Sequence, residues 1–400
     1  MLEVETLDAQ RPAAALTNGQ LALVTVARLA LTTAYRIIYP LQPFLAMQLD
    51  VDLRVVSTLV TVQMLASLAS PLGGTLADTR GERTTMIAGL ALFCCGALAC
   101  AVAGDFRGFL LGYALIGLAM ALYLPAAQAY LSHRTPYSRR GWTLGVFEVS
   151  WAAAALVGVA PLMVLVQRAG GASPVFWTLF ACGLGSLALI RFALPPTARR
   201  APRAEAGKSS VSWGALRSPS VLALLGMWFL VMFGYDTFGV AQGAWLNRDY
   251  GADEARLGQL FGLVGAAELV GSLGVALLVD RIGKRRAVAV GFTLTALSMA
   301  ALPLAGGSWT LLVPLFFAFY VCMEFAIVAG LPLSSGVAPQ VRGMVMALVI
   351  TVNGIGRVIG SLVSVPIWSS YGIAANTLLG AASIGLAVLL MLLLVREAES

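Results

Sequence analysis

A small set of charged residues interrupts long apolar stretches of this 400-residue sequence. An ionisable side chain in such a stretch is costly and is retained mainly where it has a function. A buried carboxylate is readily protonated, because a low dielectric constant disfavours its charged form, whereas an arginine keeps its proton. The candidate proton carriers are therefore Asp236, Glu268, Glu324 and Glu148. Arg36 and Arg357 are candidate switches or anchors for an anion.

Each of several charged residues has an aromatic or amide side chain three or four positions away, a spacing that places both on one helix face. The pairs are Arg36 with Tyr39, Glu148 with Trp151, Glu324 with Tyr320, and Arg357 with Asn353. Apolar walls with a few placed polar groups suit an amphipathic organic molecule. The residues predicted to bind substrate are Arg36, Tyr39, Trp151, Tyr320, Asn353 and Arg357. The alternative is that the charges form structural ion pairs and the rings only pack.

The sequence offers little for enzymatic chemistry within a membrane. Its single histidine, His133, falls in a predicted loop, and its five cysteines lie inside apolar runs without the spacing of metal ligands. A channel would need rings of like charge or filter carbonyls, whereas charges of both signs occur here on different segments. We expect no metal and no cofactor, and we place an intramembrane enzyme or a channel below a carrier.

The composition places the chain in a lipid bilayer. Hydrophobic residues make up 59% of it and charged residues only 11%, against about 25% charged in soluble domains. Its mean hydropathy is +0.86. The opening residues carry Glu3, Glu5 and Asp8 where a secretory signal would begin with basic residues. We therefore predict that the first apolar run is retained.

Apolar runs of about 20 residues, the length that crosses a bilayer as a helix, recur twelve times. Most of the 26 Lys and Arg residues fall on the same side as both chain ends, which predicts cytoplasmic termini and a multi-pass protein of the plasma membrane. This explains the net charge of +7 without a nucleic-acid partner. Arg28, nearer a span end, is expected to reach the membrane surface. The predicted spans, numbered 1 to 12, are 20–47, 55–77, 84–103, 108–131, 141–166, 175–194, 219–246, 256–279, 287–305, 309–334, 342–366 and 372–395.

The landmarks of the first half recur in the second. Asp78 and Asp280 stand 202 positions apart, and Arg140-Gly141 returns as Arg342-Gly343 at the same interval. This predicts two similar halves. A segment rich in Pro, Ala, Arg and Ser is typical of a flexible linker between them. The predicted divisions are a tail at 1–19, a six-helix bundle at 20–194, the linker at 195–218, a second six-helix bundle at 219–395 and a tail at 396–400.

Two related turns carry a family pattern. The turn between spans 2 and 3 contains Gly74, Asp78, Gly81 and Arg83, and the turn after span 8 contains Asp280, Arg281, Gly283 and Arg285. With twelve spans and a basic central linker, the whole chain resembles the major facilitator superfamily of secondary transporters. Thr79 departs from the usual Arg or Lys, and Ala276 from the usual Gly. The resemblance implies an all-α fold of two pseudo-symmetric six-helix bundles, with spans 3, 6, 9 and 12 against lipid.

The resemblance also implies alternating access, with both turns acting as gates. The Asp78 carboxylate would accept from free N–H groups at the start of span 11, near Arg342, in the outward-facing state. The predicted partners are a small molecule, protons and membrane lipids, and the chain is expected to be a monomer. The Gly-Pro-x-x-Gly-Gly pattern of proton-linked drug exporters is not met around Gly158 and Pro161. Proton-coupled export is the favoured hypothesis; uptake or exchange of an organic anion, and a lipid-like substrate, stay open.

Overall fold

The computed structural model describes residues 16–136, 139–195, 216–338 and 342–395, and within these ranges the chain is helical without strands. Twelve helical segments of this described part are long and apolar enough to cross a membrane, which confirms the all-α architecture. The side chains of Arg140, Gly141, Ala276, Asp280, Arg342 and Gly343 lie outside the description.

The spans keep the numbers 1 to 12, and the bounds of most agree with the predicted ones within a few residues. In chain order they are Asn18–Leu49, Leu53–Arg80, Glu82–Val102, Phe106–Arg134, Trp142–Ala169, Ser173–Ala193, Pro219–Tyr250, Glu254–Val279, Lys284–Ala305, Trp309–Gly336, Met344–Tyr371 and Ile373–Leu394. The helices of spans 8 and 11 run from Glu254–Ile282 and Arg342–Tyr371. Shorter segments make up spans 2 (Leu53–Ser67, Ser70–Arg80), 5 (Arg140–Ala153, the π-helical Ala154–Val159, Ala160–Ala169), 7 (Pro219–Gly239, Gln242–Tyr250) and 9 (Lys284–Ala301, the 3₁₀ turn Leu302–Ala305).

Short polar side chains begin several spans. Thr17 and Gln20 form a capping box at the start of span 1. The Asp105 carboxylate accepts from the Gly108 N–H at 2.9 Å where span 4 begins, and Asp253 caps span 8 in the same way. Each cap stabilises its helix by about 1 kcal/mol, because it satisfies an N–H group that has no partner inside the helix.

The two related turns share one backbone geometry. Gly81 has φ 91° and ψ 145° before span 3, and Gly283 has φ 84° and ψ 142° before span 9. Positive φ favours glycine, which has no Cβ to clash with the backbone. The repeat in the sequence is therefore also a repeat of local structure.

The two halves pack closely where spans 5 and 8 cross. A Cβ on Gly265 of span 8 would lie 2.5 Å from the Ala152 carbonyl oxygen, and one on Gly258 would lie 2.8 Å from that of Ala160. Small residues let the two backbones approach at these points. Spans 5 and 8 therefore form a tight seam between the halves.

We call the end of the bundle where span 6 stops at Ala193 and span 7 begins at Pro219 the linker end. The hydrogen bonds that join two described residues across the halves lie at mid-depth or towards the opposite end. Towards that end, Arg54 Nη2 donates to Ser369 Oγ at 2.6 Å, and Gln42 Nε2 donates to the Val240 carbonyl at 3.0 Å. At the linker end the Asp78 side chain is exposed. The conformation is therefore closed at the end opposite the linker.

Candidate transport site

A buried ion pair joins the halves at mid-depth. Arg36 of span 1 donates from Nη1 and Nη2 to the two carboxylate oxygens of Glu268 of span 8, at 2.7 and 2.9 Å. Their side chains are only 8% and 6% exposed. Arg36 Nη1 also donates to the Trp151 carbonyl at 3.0 Å, and the guanidinium lies over the Trp151 ring, 4.8 Å from its centroid. Sequence reasoning proposed a role for each residue but did not pair them.

A second ion pair lies within the second half, and the first half reaches into it. Arg357 Nε donates to Asp236 Oδ2 at 2.7 Å, and the Asp236 side chain is fully buried. Arg357 Nη2 donates to the Tyr39 hydroxyl at 3.0 Å, and that hydroxyl donates to Asp236 Oδ1 at 3.5 Å. Tyr39 therefore links span 1 to a charge pair of spans 7 and 11.

Both pairs border one small cavity at the interface of the halves, with room for about one water molecule. In this conformation the cavity is too small for an organic substrate. Its lining residues are Arg36, Tyr39, Trp151, Tyr235, Gln242, Phe261, Val264, Tyr320 and Arg357.

The lining includes five of the residues that the sequence suggested for substrate binding, and the sixth, Asn353, is not part of it. The Asn353 Oδ1 atom is buried without a hydrogen-bond partner among the described residues. Tyr235 and Gln242 also line the cavity and were not predicted from the sequence. Tyr235 directly precedes Asp236, and Gln242 opens the second segment of span 7, where its Oε1 accepts from the Tyr320 hydroxyl at 2.7 Å. The break in span 7 places Gln242 there, and the apolar pattern does not reveal that break.

Glu324 has a different environment from the other acids. Its Oε1 accepts from the Ser272 hydroxyl at 3.0 Å, and no arginine or lysine pairs with it among the described residues. Tyr320 lies one helical turn before it and Ser272 one turn after Glu268. Glu324 is therefore displaced from the cavity by about one turn, towards the linker end.

A third pair lies closer to the linker end. Arg28 Nη2 donates to Glu148 Oε2 at 2.6 Å, and Gln128 Nε2 donates to Glu148 Oε1 at 3.3 Å. Arg28 is 3% exposed and donates to the Phe147 carbonyl at 2.9 Å. The expectation that Arg28 reaches the membrane surface is wrong, because the acid across the bundle holds it inside. The Glu148 side chain is 51% exposed.

The two related turns are tied to the last span of their own half. Arg83 donates to the Arg191 carbonyl near the end of span 6, and Arg285 Nη2 donates to the Leu392 carbonyl near the end of span 12 at 2.6 Å. Arginine thus satisfies helix-end carbonyls that lack partners.

The remaining gate candidates are less constrained. Asp78 makes no hydrogen bond or ion pair with another described residue, and Gly74 has nothing within 4 Å of an added Cβ. Arg281 is exposed, Gly283 has positive φ, and the side chain of Asp280 lies outside the described ones. The contact of Asp78 with span 11, expected in the outward-facing state, stays a prediction, and the Arg342 side chain is not among those described.

The prediction that His133 falls in a loop is wrong, because it lies in the last turn of span 4. The residue is exposed, and its Nδ1 is 2.7 Å from Glu82 Oε1 of span 3. Among the described residues, no group of three or more His, Cys, Asp or Glu side chains could hold a metal ion.

The family model of the Major Facilitator Superfamily matches residues 24–241 and 224–400. The chain belongs to this superfamily. An uncharacterized MFS-type transporter of Bacillus subtilis, YwfA, is 27% identical over 353 residues, covering 86% of this chain and 84% of YwfA. The multidrug resistance protein MdtG of Enterobacter lignolyticus is 24% identical, covering 78% and 75% of the two chains.

Solved transporters of the superfamily share the fold. A D-xylose–proton symporter superposes with a TM-score of 0.77 at 16% identity, covering 94% of this chain and 97% of the symporter. A mutant of the peptide transporter POT in complex with sulfate also gives 0.77, at 14% identity, covering 95% and 96%. The expected superfamily and its fold are therefore confirmed, and the chain is a multi-pass membrane protein of a transporter family.

Proposed function

We propose that this MFS protein exports a small amphipathic organic molecule by alternating access, in exchange for protons. The observation that carries the proposal is the buried Arg36–Glu268 pair, which joins the two halves beside an aromatic cavity. A charge pair across the moving interface can couple protonation to the movement of the halves.

The cycle rests on competition for the arginines. Substrate that arrives from the linker end enters the space between Arg36, Trp151 and Tyr320 and disrupts the Arg36–Glu268 pair, and the halves can then separate at the opposite end. A proton binds Glu268 as the substrate leaves at that end. Release of this proton on the linker side lets the pair form again. Asp236 and Arg357 act in the same way, and the Tyr39 hydroxyl connects this pair to span 1 by a hydrogen bond.

Glu148 and Glu324 complete the proposed proton path. Both lie on the linker side of the cavity, and the exposed Glu148 can exchange protons with solvent. With the linker end in the cytoplasm, as the distribution of basic residues indicates, the conformation closed at the opposite end is the inward-facing one. The plasma membrane is the proposed location, and a monomer is the proposed working unit.

The two turns serve as gates in this proposal. Gly74, Asp78, Gly81 and Arg83 form one gate and Asp280, Arg281, Gly283 and Arg285 the other. The exposed Asp78 is available to cap span 11 when the linker end closes. Arg83 and Arg285 fix each turn to its own half, so that turn and half move together.

The MdtG relatives, whose name denotes multidrug resistance, support export as the direction of transport. The proton symporter among the structural neighbours supports the use of protons. Uptake or exchange of an organic anion is the second candidate, favoured by two arginines at the cavity. Both arginines are already neutralised by carboxylates, so an anion would have to displace an acid from each. For a lipid-like substrate the cavity offers no comparable observation.

The test is transport by the purified protein in liposomes. Saturable flux that an imposed pH gradient accelerates, with exchange of labelled for unlabelled substrate, supports the proposal. Flux that does not saturate would indicate a channel, and chemical conversion of the substrate would indicate an enzyme.

A further inference from the structure

The charges of the membrane interior do not balance. Among the described spans, Arg28 pairs with Glu148, Arg36 with Glu268, and Arg357 with Asp236. Glu324 has no arginine or lysine partner among the described residues. If every acid is ionised, the site region therefore carries a surplus of one negative charge, and if Glu324 holds a proton, it carries none.

Among the described residues, the surroundings of Glu324 offer no unpaired cation. The charged groups with the largest electrostatic effect on it are Glu268 of span 8, Arg36 of span 1 and Glu148 of span 5. The only cation among them, Arg36, already donates to both oxygens of Glu268 and to the Trp151 carbonyl.

The other spans packed against span 10 supply no counter-charge for Glu324 among their described residues. Span 9 carries its charges in its first turn, at Lys284, Arg285 and Arg286, and span 11 brings Arg357, which Asp236 holds. A carboxylate this far inside a membrane is costly unless it is protonated or lies beside a cation.

The aromatic walls of the cavity, about one turn from Glu324, suit a cation with aromatic groups. Tyr320 lies one turn away, edge to face with Tyr235 at 6.3 Å between ring centroids and with Phe319 at 4.9 Å. The Trp151 ring already carries the Arg36 guanidinium on its face. Aromatic faces attract cations, most strongly where water is excluded.

We propose that the substrate is an aromatic monocation, and that Glu324 holds the substrate cation and the proton by turns. This inference rests on the proposed function and names the substrate class of the same site. The proton leaves Glu324 for solvent as the cation arrives, and it returns when the cation departs. Because one positive charge replaces another at Glu324, the replacement at this residue is one for one and electroneutral.

Two probes of nearly the same shape and opposite charge test the proposal: tetraphenylphosphonium and tetraphenylborate. Their binding to purified protein in detergent is measured by calorimetry, and the proton count by a pH indicator in weak buffer. We expect the phosphonium to bind at least tenfold more tightly than the borate and to release about one proton per cation bound. Glu324→Gln should weaken phosphonium binding at least tenfold and abolish proton release.

A matched control keeps the test specific. Glu254→Gln makes the same substitution in the first turn of span 8, far from the site, and should leave binding and proton release unchanged. Glu324→Asp, which retains the charge, should restore part of the binding. Three results would each overturn the proposal. They are borate binding as tight as or tighter than phosphonium binding, absence of phosphonium binding, and proton release that persists in Glu324→Gln. None of these results contradicts proton-coupled transport itself, which the liposome assay tests separately.

Discussion

Arg36 donates two hydrogen bonds, of 2.7 and 2.9 Å, to the Glu268 carboxylate across the boundary between the two halves of the molecule. Their side chains belong to spans 1 and 8, which would change partners in the proposed movement of the halves. Two parallel hydrogen bonds make a strong buried ion pair. The pair stabilises the structure only while both residues are charged. Loss of either charge should therefore weaken the conformation closed opposite the linker.

Removal of the Glu268 charge should open the closed end. Glu268→Gln leaves Arg36 buried without a counter-charge, at a cost of about 3 kcal/mol to this conformation. Ser361 is a suitable reporter, since it is buried at the interface, 2.9 Å from the Thr61 hydroxyl of the other half. In a background without native cysteines, Ser361→Cys should react with a membrane-impermeant maleimide at least tenfold faster when Glu268→Gln is present. Equal rates with Glu268→Gln and with the control Glu254→Gln would contradict this prediction.

Loss of the Tyr39 hydroxyl should slow transport without weakening substrate binding much. Tyr39→Phe keeps the ring that lines the cavity but removes the link to Arg357 and Asp236. A hydrogen bond to a charged group contributes about 1.5 kcal/mol, so the turnover rate should fall roughly tenfold while KM changes less than about twofold. A large rise in KM at constant turnover would instead show that the hydroxyl binds substrate directly. Initial rates over a range of substrate concentrations decide between these results.

Asp78→Asn should impair switching and spare affinity. Its side chain is exposed and about half a membrane from the cavity, so the substitution does not touch the binding residues, but it weakens the proposed cap on span 11. We expect a lower turnover number with an unchanged dissociation constant. Thr79→Ala is the control, because the Thr79 hydroxyl donates only to Thr75 of its own helix among the described residues. A marked loss of affinity in Asp78→Asn would assign Asp78 a different role.

The seam between spans 5 and 8 should tolerate no added methyl group. Gly265→Ala would place its Cβ 2.5 Å from the Ala152 carbonyl oxygen, and overpacking of this kind costs about 1 to 3 kcal/mol. The matched substitution Gly185→Ala in span 6 meets no atom within 4 Å and should be neutral or slightly stabilising, since alanine favours a helix. Thermal unfolding in detergent should show a lower midpoint for the first variant only. Equal midpoints would mean that the seam can relax.

Much of this architecture follows from local sequence. Apolar runs of bilayer length define the spans, and the spacing from Asp78 to Asp280 reveals the repeat. Helical spacing picked out five residues that line the cavity, Arg36 and Arg357 among them. Which acid meets which arginine could not be read in this way, because the pairing of Arg36 with Glu268 depends on how two distant helices cross.

Other features depend on tertiary contacts in the same manner. The break after Gly239 leaves no mark in hydropathy, yet it places Gln242 at the cavity. Asn353 shares a helix face with Arg357 by spacing but does not line the cavity. Arg28 satisfies the usual criteria for reaching the membrane surface and is nevertheless held inside by Glu148, which lies 120 positions away.

The central claim, that the interior acids couple protons to substrate movement, is tested most directly by comparing two assays on the same liposomes. Glu324→Gln and Asp236→Asn should each abolish accumulation driven by a pH gradient, while exchange of labelled for unlabelled substrate at saturating concentration continues. Exchange needs only the movement of the loaded carrier, whereas accumulation needs the proton. Accumulation at the wild-type rate in both variants would contradict the account.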